Sequence, residues 1–174
     1  MTTMLQFIEN DQTSLAEYVR SIGRGLILFD GRPAAGKTYL AKCVARRLGC
    51  PTLDGDTFLL GNGKPFMSQL EFDKLGVAID NGLAGSPLLL LSSAFARAVA
   101  DRLKRQPAAV VWIEEVSAEM LDIARECYDD DDISANDAVI GGVERPRLLT
   151  EVEEYTVTYN ARLSPDRVYL NVVD

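Results

Sequence analysis

Residues 26–48 constrain this chain more than any other stretch: LILFD, then GRPAAGKT, then YLAKCVARRL. Gly31 and Gly36 stand five apart and are followed directly by Lys37 and Thr38, the spacing of a loop whose backbone amides cradle phosphate. Before the loop, Leu26, Ile27, Leu28 and Phe29 make an unbroken apolar run, as in a parallel strand covered on both faces. After it, Leu40, Val44 and Leu48 recur every four residues, one stripe of a helix. Strand, glycine loop and helix is the order such a loop requires.

The chemistry follows from the residue types. Gly31, Arg32, Pro33, Ala34, Ala35, Gly36, Lys37, Thr38 and Tyr39 form the candidate nucleotide-binding stretch, reinforced by the positive end of the helix that follows. Glycine at 31 and 36 lets the backbone approach a ligand that a side chain would fend off. Lys37 is placed to neutralise the β- and γ-phosphates of a nucleoside triphosphate, and the Thr38 hydroxyl to join a Mg²⁺ ion. The chain has no histidine, so a proton moved at neutral pH must use a carboxylate, lysine, tyrosine, thiol or water.

Two carboxylates, Asp54 and Asp56 in DGDTF, follow a short extended segment at 50–53. That places them at a strand's C-terminal end, where open α/β sheets bind ligands. The expected role of Asp56, or of Asp54, is to orient or deprotonate an acceptor hydroxyl. Glu114 and Glu115 follow a second apolar strand, 108–113, and one of them, Glu114 first, is a candidate to hold a water on the metal. Arg97, on a helix after the strand at 88–91, and Arg145 and Arg147, in the long connection before the last strand, are candidates to close over a transferred phosphate.

The rest of the pattern alternates strands with helical crossovers. Residues 1–13 read as a loose lead-in, Ser14 as the cap of a helix to Ile22, and 167–173 as the final strand. Helices are expected at 69–81, from Ser92 or Ser93 to about 106, at 117–128 and at 148–161, with a solvated acidic loop at Asp129–Asp132. Five strands joined in this way imply a parallel sheet covered on both faces. The 174 residues are expected to form one domain, with 61–85 as acceptor-binding region and 117–150 as a possible lid.

A net charge of −8 argues against general nucleic-acid binding. Cys43, Cys50 and Cys127 have no metal-ligand spacing and read as free thiols. No apolar run reaches the length of a membrane span, and a cytoplasmic enzyme is the expectation.

With these residues in view, the chain resembles the P-loop small-molecule kinases, the group around nucleoside monophosphate kinases, uridine kinase, gluconate kinase and shikimate kinase. LILFDGRPAAGKTYLAKCVARRLGCPTLDGDTF carries the resemblance, with Asp56 matching the aspartate that ends the gluconate-kinase-like element. LLLLSSAFARAVADRL is similar to the gluconate kinase segment of strand, serine and arginine-bearing helix. VEEYTVTYNARLSPDRVYLNVVD is similar to the end of uridine-kinase-like chains. The resemblance implies the three-layer P-loop NTPase fold, with a five-stranded parallel sheet in the order 2-3-1-4-5. It also implies transfer of the γ-phosphoryl group of Mg-ATP to a hydroxyl of a nucleoside, sugar or similar metabolite. The alternative is a nucleotide-binding regulatory module with no small-molecule acceptor. A GTPase is disfavoured, because no Asn-Lys-x-Asp base-reading motif occurs.

Overall fold

The structure, a computed structural model, describes residues 7–120, 147–161 and 165–174. Its centre is a parallel sheet of six strands: β1 (Phe7–Glu9), β2 (Gly25–Gly31), β3 (Thr52–Asp54), β4 (Leu88–Ser92), β5 (Ala109–Ser117) and β6 (Arg167–Val173). The order across the sheet is β1-β6-β5-β2-β4-β3. Six strands replace the expected five, and the sheet order differs by the strand added, because β1 lies outside β6; the five expected strands keep the order 2-3-1-4-5 among themselves. β1 pairs Phe7 with Val168 and Glu9 with Leu170. The lead-in reads as polar because Asn10 and Asp11 dominate it, yet those residues finish the strand and begin the next helix. Asn10 extends the ladder with its side chain, donating to the Val172 carbonyl at 3.0 Å and accepting the Val172 N–H at 2.8 Å.

The helices are α1 (Gln12–Ile22), α2 (Lys37–Leu48), α3 (Phe66–Gln69), α4 (Phe72–Gly85), α5 (Ala96–Arg102) and α6 (Arg147–Thr158). Asp11, not Ser14, caps α1, accepting the N–H groups of Thr13 and Ser14 at 3.0 Å each. Because β2 lies at the middle of the sheet, successive side chains go to opposite buried layers. Ile27 and Phe29 join Leu15, Val19, Leu40 and Val44 of α1 and α2. Leu26 and Leu28 join Leu75, Ile79, Val99, Val152 and Tyr155 of α4, α5 and α6. Helix, sheet and helix make three layers, as expected for this fold.

Two element boundaries shift in ways that move candidate residues. β5 continues to Ser117, so Glu114 and Glu115 lie within a strand rather than beyond it. The expected helix at 69–81 appears as α4, starting three residues later, with the short α3 before it; Leu70, between the two, bridges back to Leu59. The connection expected to act as a lid lies largely outside the described residues, together with Arg145 and Cys127.

Candidate functional site

All strands are parallel, so β2, β3 and β4 deliver their C-terminal ends to one edge of the sheet. There Gly31, Asp54 and Ser92 are the last strand residues. A cleft of about 300 Å³ opens over this edge. One wall is the glycine loop with Lys37, Thr38 and Tyr39; facing it are Asp54, Asp56, Phe66, Ser93, Ala94 and Leu148.

The loop leaves β2 in a conformation open only to glycine. Gly31 has φ +145°, and a Cβ there would stand 2.2 Å from the Ile113 carbonyl oxygen of β5. Gly36 has φ +86° and precedes α2, with the Asn171 amide 3.1 Å from where a Cβ would be. Leu40 N–H donates to the Gly36 carbonyl at 2.9 Å. The amides of Lys37, Thr38 and Tyr39 therefore precede the helical ladder and point toward the cleft side of the helix end.

Lys37 is 8% exposed, and its ammonium donates to the Arg32 carbonyl at 2.5 Å. Burial lowers its pKa, while Asp30, Asp56 and Asp54 draw it back up. Thr38 is held between two oxygens: its hydroxyl donates to Asp54 Oδ2 at 3.1 Å and lies 3.2 Å from Ser92 Oγ. The other Asp54 oxygen accepts the Asp56 N–H at 3.1 Å, which starts a short 3₁₀ turn, Gly55–Phe58. That turn carries Asp56 around to the solvent side of the cleft. Crowding desolvates Asp56, and the Asp54 charge adds to the effect, so its carboxyl is raised above the usual range while Lys37 pulls it down.

Thr38, Asp54 and Ser92 offer two hydroxyls and one carboxylate. An all-oxygen set of this kind suits a hard divalent cation such as Mg²⁺. Glu114 stands within β5. β2 separates its strand from β4 and β3, and its carboxylate accepts the Trp112 indole N–H at 3.4 Å. The strand end expected ahead of Glu114 is not there, so the reason for choosing it disappears.

Arg97 is on α5, the helix after β4, as expected. Its guanidinium donates to the carbonyls of Tyr159 at 3.3 Å and Ala161 at 3.0 Å, tying down the end of α6, and it borders a separate hollow of about 170 Å³. Arg147 is the first residue of α6. Of the 61–85 region, Phe66 reaches the cleft, its N–H held by Glu151 Oε2 at 3.0 Å. Most of α4 instead packs on the sheet, with Leu75 and Ile79 fully buried.

Sequence reasoning missed Ser92, Phe66 and Leu148, and above all Asp30. Asp30 is fully buried beneath the loop. Its Oδ1 accepts the Gly31 N–H at 2.9 Å, and its Oδ2 accepts the Tyr155 hydroxyl of α6, with Arg97 Nε 3.8 Å away. The signal was a charged residue closing an otherwise apolar strand, where an unpaired carboxylate cannot remain.

No family model matches the sequence, and no curated protein matches it. Solved structures do match. One, described as a possible uridine kinase from Bacillus stearothermophilus, has a TM-score of 0.56 at 14% identity, over 91% of this chain and 96% of that one. A gluconokinase from Sinorhizobium meliloti 1021 gives 0.44 at 19% identity, over 86% and 82% of the two chains. A shikimate kinase from Bacteroides thetaiotaomicron gives 0.35 at 16%, over 84% and 85%. At 14% identity the likeness to the first of these is one of fold: over 91% of its length this chain takes the same three-layer arrangement, the P-loop NTPase fold that the sequence resemblance implied.

Proposed function

We propose that the protein is an ATP-dependent phosphotransferase that moves the γ-phosphoryl group of Mg-ATP to a hydroxyl of a small molecule, a nucleoside, sugar or similar metabolite. One observation carries the reading. The glycine loop with Lys37 and Thr38 faces Asp54 and Asp56 across a single cleft, so phosphate-binding and proton-accepting groups share one space.

In this reading the loop amides and Lys37 bind the β- and γ-phosphates and neutralise charge as it builds on transfer. Thr38, Asp54 and Ser92 would hold Mg²⁺, which supplies charge neutralisation between the phosphates. Asp56 accepts the proton of the acceptor hydroxyl as its oxygen bonds to the γ-phosphorus and the bond to the β-phosphate oxygen breaks, releasing ADP. The raised carboxyl of Asp56 makes it a better base than an ordinary aspartate. Phe66, Ala94 and Leu148 form the apolar side of the acceptor space. The shared fold with a structure described as a possible uridine kinase supports the assignment.

The test is turnover of Mg-ATP against a panel of nucleosides, sugars and other hydroxyl compounds. Slow hydrolysis alone and a large stimulation by one acceptor are expected. Lys37→Ala should abolish transfer. Asp56→Asn should lower kcat by about a hundredfold or more, the usual size of general-base catalysis, with little change in KM for ATP. Retained transfer in Lys37→Ala would sink the proposal, and ATP binding without stimulation by any acceptor would favour the regulatory module.

A further inference from the structure

Asp30 is the buried charge that the phosphotransfer reading leaves unused. It lies beneath the loop rather than in the cleft, and the polar groups that contact its carboxylate are donors. Gly31 N–H meets Oδ1 at 2.9 Å; the Tyr155 hydroxyl and the Arg97 guanidinium approach Oδ2. The Arg97 backbone N–H in turn donates to the Tyr155 oxygen at 3.1 Å, which fixes the direction of the tyrosine hydroxyl toward the carboxylate. A carboxylate accepts and cannot donate, so this set of donors is built for the ionised form.

The cluster joins three elements at the point where the loop begins. Asp30 is on β2, Arg97 on α5 and Tyr155 on α6. Gly31 is already confined by its positive φ and by the Ile113 carbonyl, and its amide is turned down toward Asp30 instead of toward the cleft. We infer that Asp30 and Tyr155 are positioning residues for nucleotide binding: the ionised carboxylate, aimed by the tyrosine hydroxyl, anchors the first turn of the phosphate loop. This rests on the nucleotide reading above and adds to it a device that lies outside the cleft.

The device has a pH signature. Burial raises the Asp30 carboxyl to about 6, against the pull of Tyr155, the Gly31 amide and Arg97. Other charged or titratable groups near it are Lys37 on α2 and, on β5, Glu114, two residues beyond its cross-strand partner Trp112. Below about pH 6 the carboxylate takes up a proton, loses its fit to the donors, and the loop loosens. Tyr155→Phe keeps the ring, which packs against Phe95 and Tyr159 with centroids 5.2 and 5.0 Å away. It removes one donor from the ionised form, so the transition moves to higher pH.

The experiment is calorimetric titration of the full chain with Mg-ADP between pH 5.5 and 8, for wild type, Asp30→Asn and Tyr155→Phe. The phosphate group of ADP titrates in the same range, but identically for all three proteins, so it cancels in ratios of affinity. Wild type should bind about tenfold more tightly than Asp30→Asn at pH 8, the size of one charge-assisted hydrogen bond. That advantage should shrink with a midpoint near 6, and in Tyr155→Phe the midpoint should lie higher. A flat wild-type-to-Asn ratio, or an unmoved midpoint in Tyr155→Phe, overturns the inference while leaving nucleotide binding intact. If Asp30→Asn does not fold, Tyr155→Phe against wild type decides alone. Binding by none of the proteins at any pH overturns both this inference and the proposed function.

Discussion

Gly31 shows how little freedom a single residue has at the mouth of this site. Two independent facts forbid a side chain there: a φ of +145° and the Ile113 carbonyl 2.2 Å from the would-be Cβ. Relief would require β2 and β5 to part at the centre of the sheet. Gly31→Ala should therefore destabilise the protein by about 3 kcal/mol or more and lower the thermal midpoint by several degrees. Gly85 is the contrast. It ends α4 with ordinary φ and no neighbour within 4 Å of a would-be Cβ, so Gly85→Ala should be neutral or stabilising by up to about 1 kcal/mol. Thermal melts of the two variants check both statements, and equal losses would count against the loop geometry described here.

At the scale of elements, what the sequence made legible was what local periodicity encodes. The β2–loop–α2 unit could be read because an apolar run, two glycines and a four-residue stripe are each visible in one short window. The strand end that carries Asp54 and precedes Asp56 was legible for the same reason, since a short extended segment running into DGD is a local pattern; that this end lies near the loop is set by the order of the strands. Ser92 was read as a possible helix cap. Its closeness to Thr38, 54 positions away in the chain, arises from β4 lying next to β2. Tyr155 is 125 residues from Asp30, and β1 finds its place only by pairing with β6 at the far end of the chain. Such contacts depend on topology, and nothing in a window of residues reports them. The end of β5 was misplaced in the opposite direction: the apolar run stops at Ile113, while the strand continues through Glu114 and Glu115 to Ser117. Helix packing away from the site supplies a control for every functional variant. Leu15 of α1 is fully buried against the layer shared with α2 and does not line the cleft. Leu15→Ala should cost about 2–5 kcal/mol of stability while leaving affinity for Mg-ADP unchanged in the folded protein. A loss of affinity in that variant would mean that α2 does not hold the loop independently of α1.

For the whole molecule, the same buried carboxylate that anchors the loop shapes the dependence of stability on pH. Asp30 is raised from 3.8 to about 6 in the folded protein, whereas in the unfolded chain it titrates at its ordinary value. Between those two pH values the native state holds a proton on Asp30 that the unfolded chain has released. Stability from this group is therefore greatest at the acid end and falls as pH rises through the interval, then levels off above about 6. A shift of this size corresponds to about 3 kcal/mol, opposite in sign to the contribution of paired surface carboxylates such as Asp80. That residue is held low by the Arg105 guanidinium, so its stabilisation is lost only on further acidification. Denaturant unfolding of wild type and Asp30→Asn from pH 4 to 7 isolates the Asp30 part, because the other groups are common to both proteins. The wild-type free energy, measured relative to the variant, should fall by a few kcal/mol across that range, with most of the change below pH 6. A relative free energy that rises with pH would mean that the donors around Asp30 outweigh its burial, and that the carboxylate stabilises this fold as well as orienting its phosphate loop.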